Sequence, residues 1–250
     1  MNRHLLSFLL GFIIAGSLVF FIMHYQSRQG SEVWAAGELI SVRQAVEKRF
    51  SDISQEIVGR LAAFGQETAA DQLFALRLIA EKNPSSPEVA GKAGEFLRPM
   101  GFAFLSIVDS AGTILSSGHF PTSRGDRMAE GAFGKLSEEP RLVEDNAAGK
   151  KTLSLQARAA FTVADSIKFY ALGGVAMDEA FLAKLSPVTN VKVVLKRGRE
   201  VIGMEGVTTM SEVNNGAVLL NGRQYPAFRI MLDYAGEGEP PELIGVLVKK

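Results

Sequence analysis

At 250 residues the chain is longer than one small core organises, so two compact units are expected. Hydrophobic residues make up 47% and charged residues 22%, the balance of a globular rather than a disordered chain. Lys plus Arg equals Asp plus Glu at 27 each, which leaves no basic footprint for nucleic acid. With no cysteine, a disulfide framework, a thiolate metal site and a cysteine nucleophile are excluded.

Residues 5–23 read LLSFLLGFIIAGSLVFFIM, nineteen residues without a charge. At the helical rise they span about 28 Å, close to the hydrocarbon thickness of a bilayer. A cleaved signal peptide is the rival reading, but its apolar core is shorter and ends near a small-residue site. Here the best such site, Val33-Trp34-Ala35, lies about ten residues beyond the apolar run, which favours an uncleaved transmembrane anchor. Arg3 and the amino terminus precede the span, a weak positive-inside bias that places the N-terminus in the cytoplasm and everything after Tyr25 outside it. Ser7, Gly11 and Ala15, four apart, would stack on one face, either as ordinary membrane-helix composition or as a face that lets two membrane helices approach.

From residue 33 to residue 80 there is no proline. Leu39, Val42, Val46, Phe50, Ile53, Ile57, Leu61 and Phe64 recur at steps of three and four, one apolar stripe on a long stalk helix. Arg43, Glu47, Lys48, Asp52, Glu56 and Arg60 fill the other faces. The stripe packs on the following domain, on a second copy, or on both in turn. Gly59 and Gly65 are weak points for bending, and Asn83-Pro84-Ser85-Ser86-Pro87 ends the element.

Ser86-Pro87 caps a shorter helix running to about Leu97. Residues 102–108 and 113–117 then flank Asp109-Ser110-Ala111-Gly112, a hairpin signal in which Asp109 caps its own turn. Residues 152–163 and 168–175 form a second pair around Ala164-Asp165-Ser166. The stretch 124–150 between the pairs reads as part helix, part loop. MDEAFLAKL, residues 177–185, is a short helix stopped by Pro187. A second sheet follows: 191–195 and 200–204 around Arg197-Gly198, 217–220 and 225–232 around the tight-turn dipeptide Asn221-Gly222, and 243–248. In residues 225–232 the alternation points Phe228, Ile230 and Leu232 one way and Arg229, Met231 and Asp233 the other. Successive hairpins predict antiparallel sheets, hence an α+β fold.

A membrane helix, a stalk helix, a short helix and two small sheets in that order resemble the double-Cache, PAS-like sensor regions of bacterial histidine kinases and chemoreceptors. The closest local match is FAFLSIVDSAGTIL, residues 102–115, similar to the strand, Val-Asp-x-x-Gly, strand hairpin of Cache domains. FYALGGVAMDEAFLAKL, residues 169–185, is similar to the strand-then-helix joint of such sensors. The resemblance covers residues 30–250. It implies residues 1–25 as cytoplasmic N-terminus and membrane helix, 26–83 as stalk, 84–186 as a membrane-distal Cache-like domain and 187–250 as a membrane-proximal PAS-like domain. It further implies an inner-membrane protein with its bulk outside the cytoplasm, dimerising through membrane and stalk helices. The Arg, Trp, Tyr and Asp signature of amino-acid-binding Cache pockets is absent, so no ligand carries over. The family continues past the last strand into a second membrane helix and an output domain. The sequence then reads as the sensory part of a larger receptor, or as a stand-alone sensor that needs a partner.

Enzymatic chemistry has no support in the motifs, and no cofactor is implied. His4, His24 and His119 are scattered, and His119, between Gly118 and Pro121, reads as a solvated turn residue rather than a metal ligand. Residues 146–152 resemble the tail of a phosphate loop, but Glu144 stands where the first glycine is required. There is no G-x-S-x-G, S-x-x-K or H-E-x-x-H. Glu138-Glu139 lies in polar loop sequence. What remains is binding. PAS-like pockets lie on the sheet face under the intervening loop, which makes Arg98, Arg124, Asp126, Arg158 and Tyr170 the candidates for a distal pocket. An arginine there would pair a carboxylate in bidentate fashion. The distal unit would hold the pocket and the proximal unit would transmit. A non-enzymatic envelope scaffold and an anchored enzyme of another type are the competing readings.

Overall fold

The computed structural model describes the backbone of residues 3–248 except 129–131, 148–149, 165–166, 189, 199, 208, 214–215 and 237. Side chains are described from residue 37 onward, without those gaps and without 132, 135, 145–147, 150–151 and 212–213. The apolar span 5–23 and its Ser7, Gly11 and Ala15 face thus have helical backbone, with their side chains outside the described residues. Among the described residues no helix is long and apolar enough to cross a membrane.

Helix α1, Arg3–Ala70, is continuous. It stops short of the expected stalk end at residue 83 because Asp71 leaves the helix. Its extended backbone puts Oδ1 in reach of the Leu73 and Phe74 N–H groups, 3.0 and 3.1 Å away. That caps a new short helix, α2, Gln72–Ala75, which continues as a π-helical turn over Leu76–Ala80. Ser86 then caps α3, Pro87–Leu97, accepting from Val89 N at 3.4 Å.

The first sheet contains β1 (Phe104–Asp109), β2 (Ile114–Ser117), β3 (Arg141–Ala147), β4 (Lys150–Val163) and β5 (Ile167–Ala176), in the antiparallel order β2-β1-β5-β4-β3. Asp109 closes the first hairpin as expected, its carboxylate accepting from Ala111 N and Thr113 N at 2.9 and 2.8 Å. Inside the stretch read as helix and loop lie a 3-10 turn, Pro121–Ser123, a short helix α4, Ala132–Lys135, and the strand β3. The strand was hidden because it is a sheet edge of sequence RLVEDNA, in which Leu142 is fully buried and Arg141, Val143 and Glu144 are only partly so. Helix α5, Glu179–Leu185, capped by Asp178, leads to the second sheet.

That sheet holds β6 (Val191–Arg197), β7 (Glu200–Ile202), β8 (Met210–Val213), β9 (Ala217–Leu220), β10 (Arg223–Met231) and β11 (Glu242–Leu247), ordered β7-β6-β11-β10-β9-β8. The short edge strand β8 is the other element the pattern did not predict. At the β9–β10 turn Asn221 and Gly222 both have positive φ, 45° and 79°, which is why this dipeptide closes a two-residue hairpin. Phe228, Ile230 and Leu232 are buried while Met231 is 64% exposed, the alternation read from the sequence.

The helix α1 lies along both sheets, against β4 and β5 of the first and β10 and β11 of the second. Its stripe is the spine of the main core: Val42, Val46, Ile57, Leu61 and Phe64 are buried, with Leu39, Phe50 and Ile53 packed at the margin. Glycines bring helix and sheet together. A Cβ on Gly65 would sit 3.1 Å from Phe161, and one on Gly173 would sit 2.8 Å from Leu61 Cδ2. Gly65, expected as a bending point, is a close-approach residue in an unbroken helix.

Candidate functional site

Alternation along β1, β4 and β5 splits the first sheet into two faces. Leu105, Ile107, Leu155, Ala157, Phe161 and Ala171 join the core that α1 seals. Phe104, Ser106 and Val108 of β1, Gln156 and Arg158 of β4, and Tyr170 and Leu172 of β5 fall on the opposite face. There Val108, Leu172 and Leu136 form a small apolar cluster with Ile114, Met128, Phe133 and Tyr170 at its margin. The 3-10 turn with Asp126, Arg127 and Met128 after it, and Phe133 and Leu136 of the α4 region, lie over this face.

Beneath them is a cavity of about 310 Å³. Its floor is Phe104, Ser106, Gln156 and Leu172, and its rim includes His119, Phe120, Asp126 and Arg127. Ser106 and Gln156 are buried polar residues, and Gln156 Nε2 donates to Ser154 Oγ at 2.7 Å. His119 stands edge-on to Phe104, ring centroids 5.3 Å apart, with Nδ1 3.3 Å from Ser117 Oγ. It therefore lines the cavity instead of being a solvated turn residue. The strand end at Gly118 turns it inward, a consequence of pairing that local sequence does not display.

Beside the cavity, directly across from Leu172 in register, Arg158 packs against two rings. Its guanidinium carbon is 5.6 Å from the Phe133 centroid and 5.5 Å from that of Tyr170, which meet edge to face at 5.1 Å. Lys168 lies 5.2 Å from the Tyr170 centroid on this cluster. Among the described residues neither cation has a carboxylate partner. Contact with the rings holds the guanidinium in place, and its N–H groups could still donate to an anionic group.

Of the five candidates, the structure brings Arg158 and Tyr170 into contact and places Asp126 on the cavity rim. Arg98, at the end of α3, and Arg124, after the 3-10 turn, are exposed and outside the lining. Sequence reading missed Ser106 and Gln156, which strand alternation alone would have put on this face, and His119, which alternation could not place because it lies beyond the end of β2. A second groove, about 300 Å³, runs between α1, the start of β1 and α5, with Ile57 and Phe181 inside and Glu56, Arg60 and Lys184 along it. Arg60 is occupied there, pairing Glu56 and donating to Met100 O at 2.7 Å.

One long helix carries two successive antiparallel sheets, with an open cavity on the outer face of the first. Solved structures share this fold. The chain is similar to the sensor domain of the Vibrio cholerae histidine kinase DctB, at 10% identity over 86% of this chain and 98% of that one, with a TM-score of 0.52. It is likewise similar to the periplasmic domain of Vibrio cholerae LuxQ, at 13% identity over 84% and 100%, with a TM-score of 0.53. At these identities the likeness is one of fold. No family model and no curated protein matches the sequence.

Proposed function

We propose that this chain is the extracytoplasmic ligand-sensing region of a membrane-bound signal-transduction receptor of the histidine kinase or chemoreceptor type. The observation that carries the reading is the cavity of about 310 Å³ on the outer face of the first sheet, with a buried Ser106 and Gln156 floor and a charged rim. The fold shared with the DctB and LuxQ domains supports it. In this reading residues 5–23 anchor the protein in the inner membrane and 26–83 form the stalk. Residues 84–186 are the membrane-distal sensing domain and 187–250 the proximal one. Two copies associate through the stalk and the Ser7, Gly11 and Ala15 face. Asp126, Arg158 and Tyr170 contact a small polar solute with an anionic group; Arg98 and Arg124 are assigned no contact. Binding shifts the first sheet against α1, which requires a ligand with different affinities for two arrangements.

The test is a thermal-shift screen of small carboxylic acids, amino acids and phosphate esters on the full chain in detergent micelles. A compound at a hundredfold excess over Kd adds ~2.7 kcal/mol to the native state. Arg158→Ala should reduce that gain for every anionic compound, and Asp126→Asn should reduce it for compounds that also carry an ammonium group, while the unliganded protein keeps its melting temperature. A gain that survives both changes but disappears on altering the second sheet places the ligand elsewhere. A screen without any gain sinks ligand sensing and leaves an envelope scaffold as the better reading.

A further inference from the structure

The two sheets are joined in two ways of different character. One is apolar: α1 and α5 bury Ile57, Leu61, Phe181, Leu182 and Leu185 in a core that reaches both sheets. The other is smaller and held mainly by polar contacts, at the free edge of β3, although the Leu142 side chain points into that same core and Tyr234 packs against its margin. Leu142 N donates to Asp233 O at 2.9 Å, and Ala235 N donates to Leu142 O at 2.9 Å, a single parallel bridge between the first sheet and the segment that leaves β10. Arg141 pairs with the Asp233 carboxylate at 2.8 Å. Glu144 pairs with Arg197 at the end of β6, their side chains 20% and 25% exposed, and Tyr234 Oη donates to the same carboxylate at 3.5 Å. Gly236 makes room for that ring, since a Cβ there would fall 2.1 Å from Tyr234 Oη.

This joint is also tied to the cover of the cavity. Leu136 is buried in the apolar cluster of the outer face, and Ser137 O accepts from Arg158 N at 2.9 Å. Five residues after Leu136 the chain enters β3, so a displacement of the cover pulls directly on Leu142 and Glu144. Two backbone hydrogen bonds and partly solvated ion pairs open at far lower cost than an apolar core, because water replaces their partners.

We propose that the Leu142 bridge and the Glu144, Arg197 and Tyr234 cluster form an openable clasp. It couples the cover of the cavity to the second sheet and opens while α1 and both cores stay folded. The ligand as trigger rests on the sensing function proposed above; the clasp itself does not.

Hydrogen–deuterium exchange at the Leu142 and Ala235 amides of the full chain in detergent micelles, without any ligand, reads the clasp directly. In the unsubstituted protein both should exchange together and faster than the amides of β5 and β11. In Arg197→Met and Glu144→Gln both should exchange at least about tenfold faster still, with β5 and β11 unchanged. Tyr234→Phe, which removes one hydroxyl, should give a smaller acceleration at the same two amides and serves if the charge variants fail to fold. The swapped pair Glu144→Arg with Arg197→Glu should restore part of the protection. If Leu142 and Ala235 exchange only as slowly as β5 and β11, or if the variants accelerate all strands equally, there is no separate clasp.

Discussion

Asp71 does three things that its neighbours in sequence do not announce. It ends α1, caps α2 through the Leu73 and Phe74 N–H groups, and pairs with Lys92 of α3, whose side chain is largely buried. The Lys92 hydrogen bond, opposed by partial burial and helped by the two backbone donors, holds the Asp71 carboxyl below its ordinary value. A carboxyl whose folded pKa lies below its unfolded one stabilises the protein fully above the unfolded value, near ~3.9. That contribution is lost as pH falls from there through the folded value. Asp71→Asn keeps a capping oxygen but removes the charge. Its melting temperature should therefore lie below that of the parent at pH 6, and the gap should narrow as the pH drops below about 4. A gap that stays constant with pH would mean that the ion pair contributes nothing. Within a run of helix formers Asp71 looks like a surface charge, since its partner lies 21 positions away. Asp109 was legible because its partners, Ala111 and Thr113, lie within its own turn.

Among elements, the stalk shows what periodicity conveys. The stripe from Leu39 to Phe64 is the buried face of α1, as its spacing demands. Leu61 is the sharpest test, being 0% exposed and lodged where Gly173 lets the helix reach the sheet. Leu61→Ala should destabilise the protein by ~2–5 kcal/mol, transfer loss plus cavity, in denaturant unfolding of the full chain. A neutral result would mean that the helix does not pack there in solution. The two strands that escaped notice, β3 and β8, are both edges and carry polar residues on at least one side of a short run. A strand covered on one edge only lacks the hydrophobic signature of a central one; the edges β2 and β7 were legible through the turn signals beside them, Asp109 to Gly112 and Arg197-Gly198. The central strands β1, β4, β5 and β11, with long β-prone runs, were plain from the sequence.

For the whole molecule the orientation across the membrane is the leading expectation, resting on one uncharged span at residues 5–23 and the charge that precedes it. An alkaline phosphatase fused after Lys250 should be active, since that enzyme works only outside the cytoplasm. An inactive phosphatase together with an active cytoplasmic reporter at the same position would reverse the topology. The sequence by itself determined the long amphipathic helix, the hairpins with their Asp109 and Asn221-Gly222 turns, and the α+β class. All of these rest on interactions within a few residues along the chain. Only the tertiary structure decided the stop at Asp71, the inward turn of His119, the contact of Arg158 with Phe133 and Tyr170, and the bridge from Leu142 to Ala235. Each of these joins groups far apart in sequence, and strand order and helix placement, which no local pattern encodes, bring them within reach.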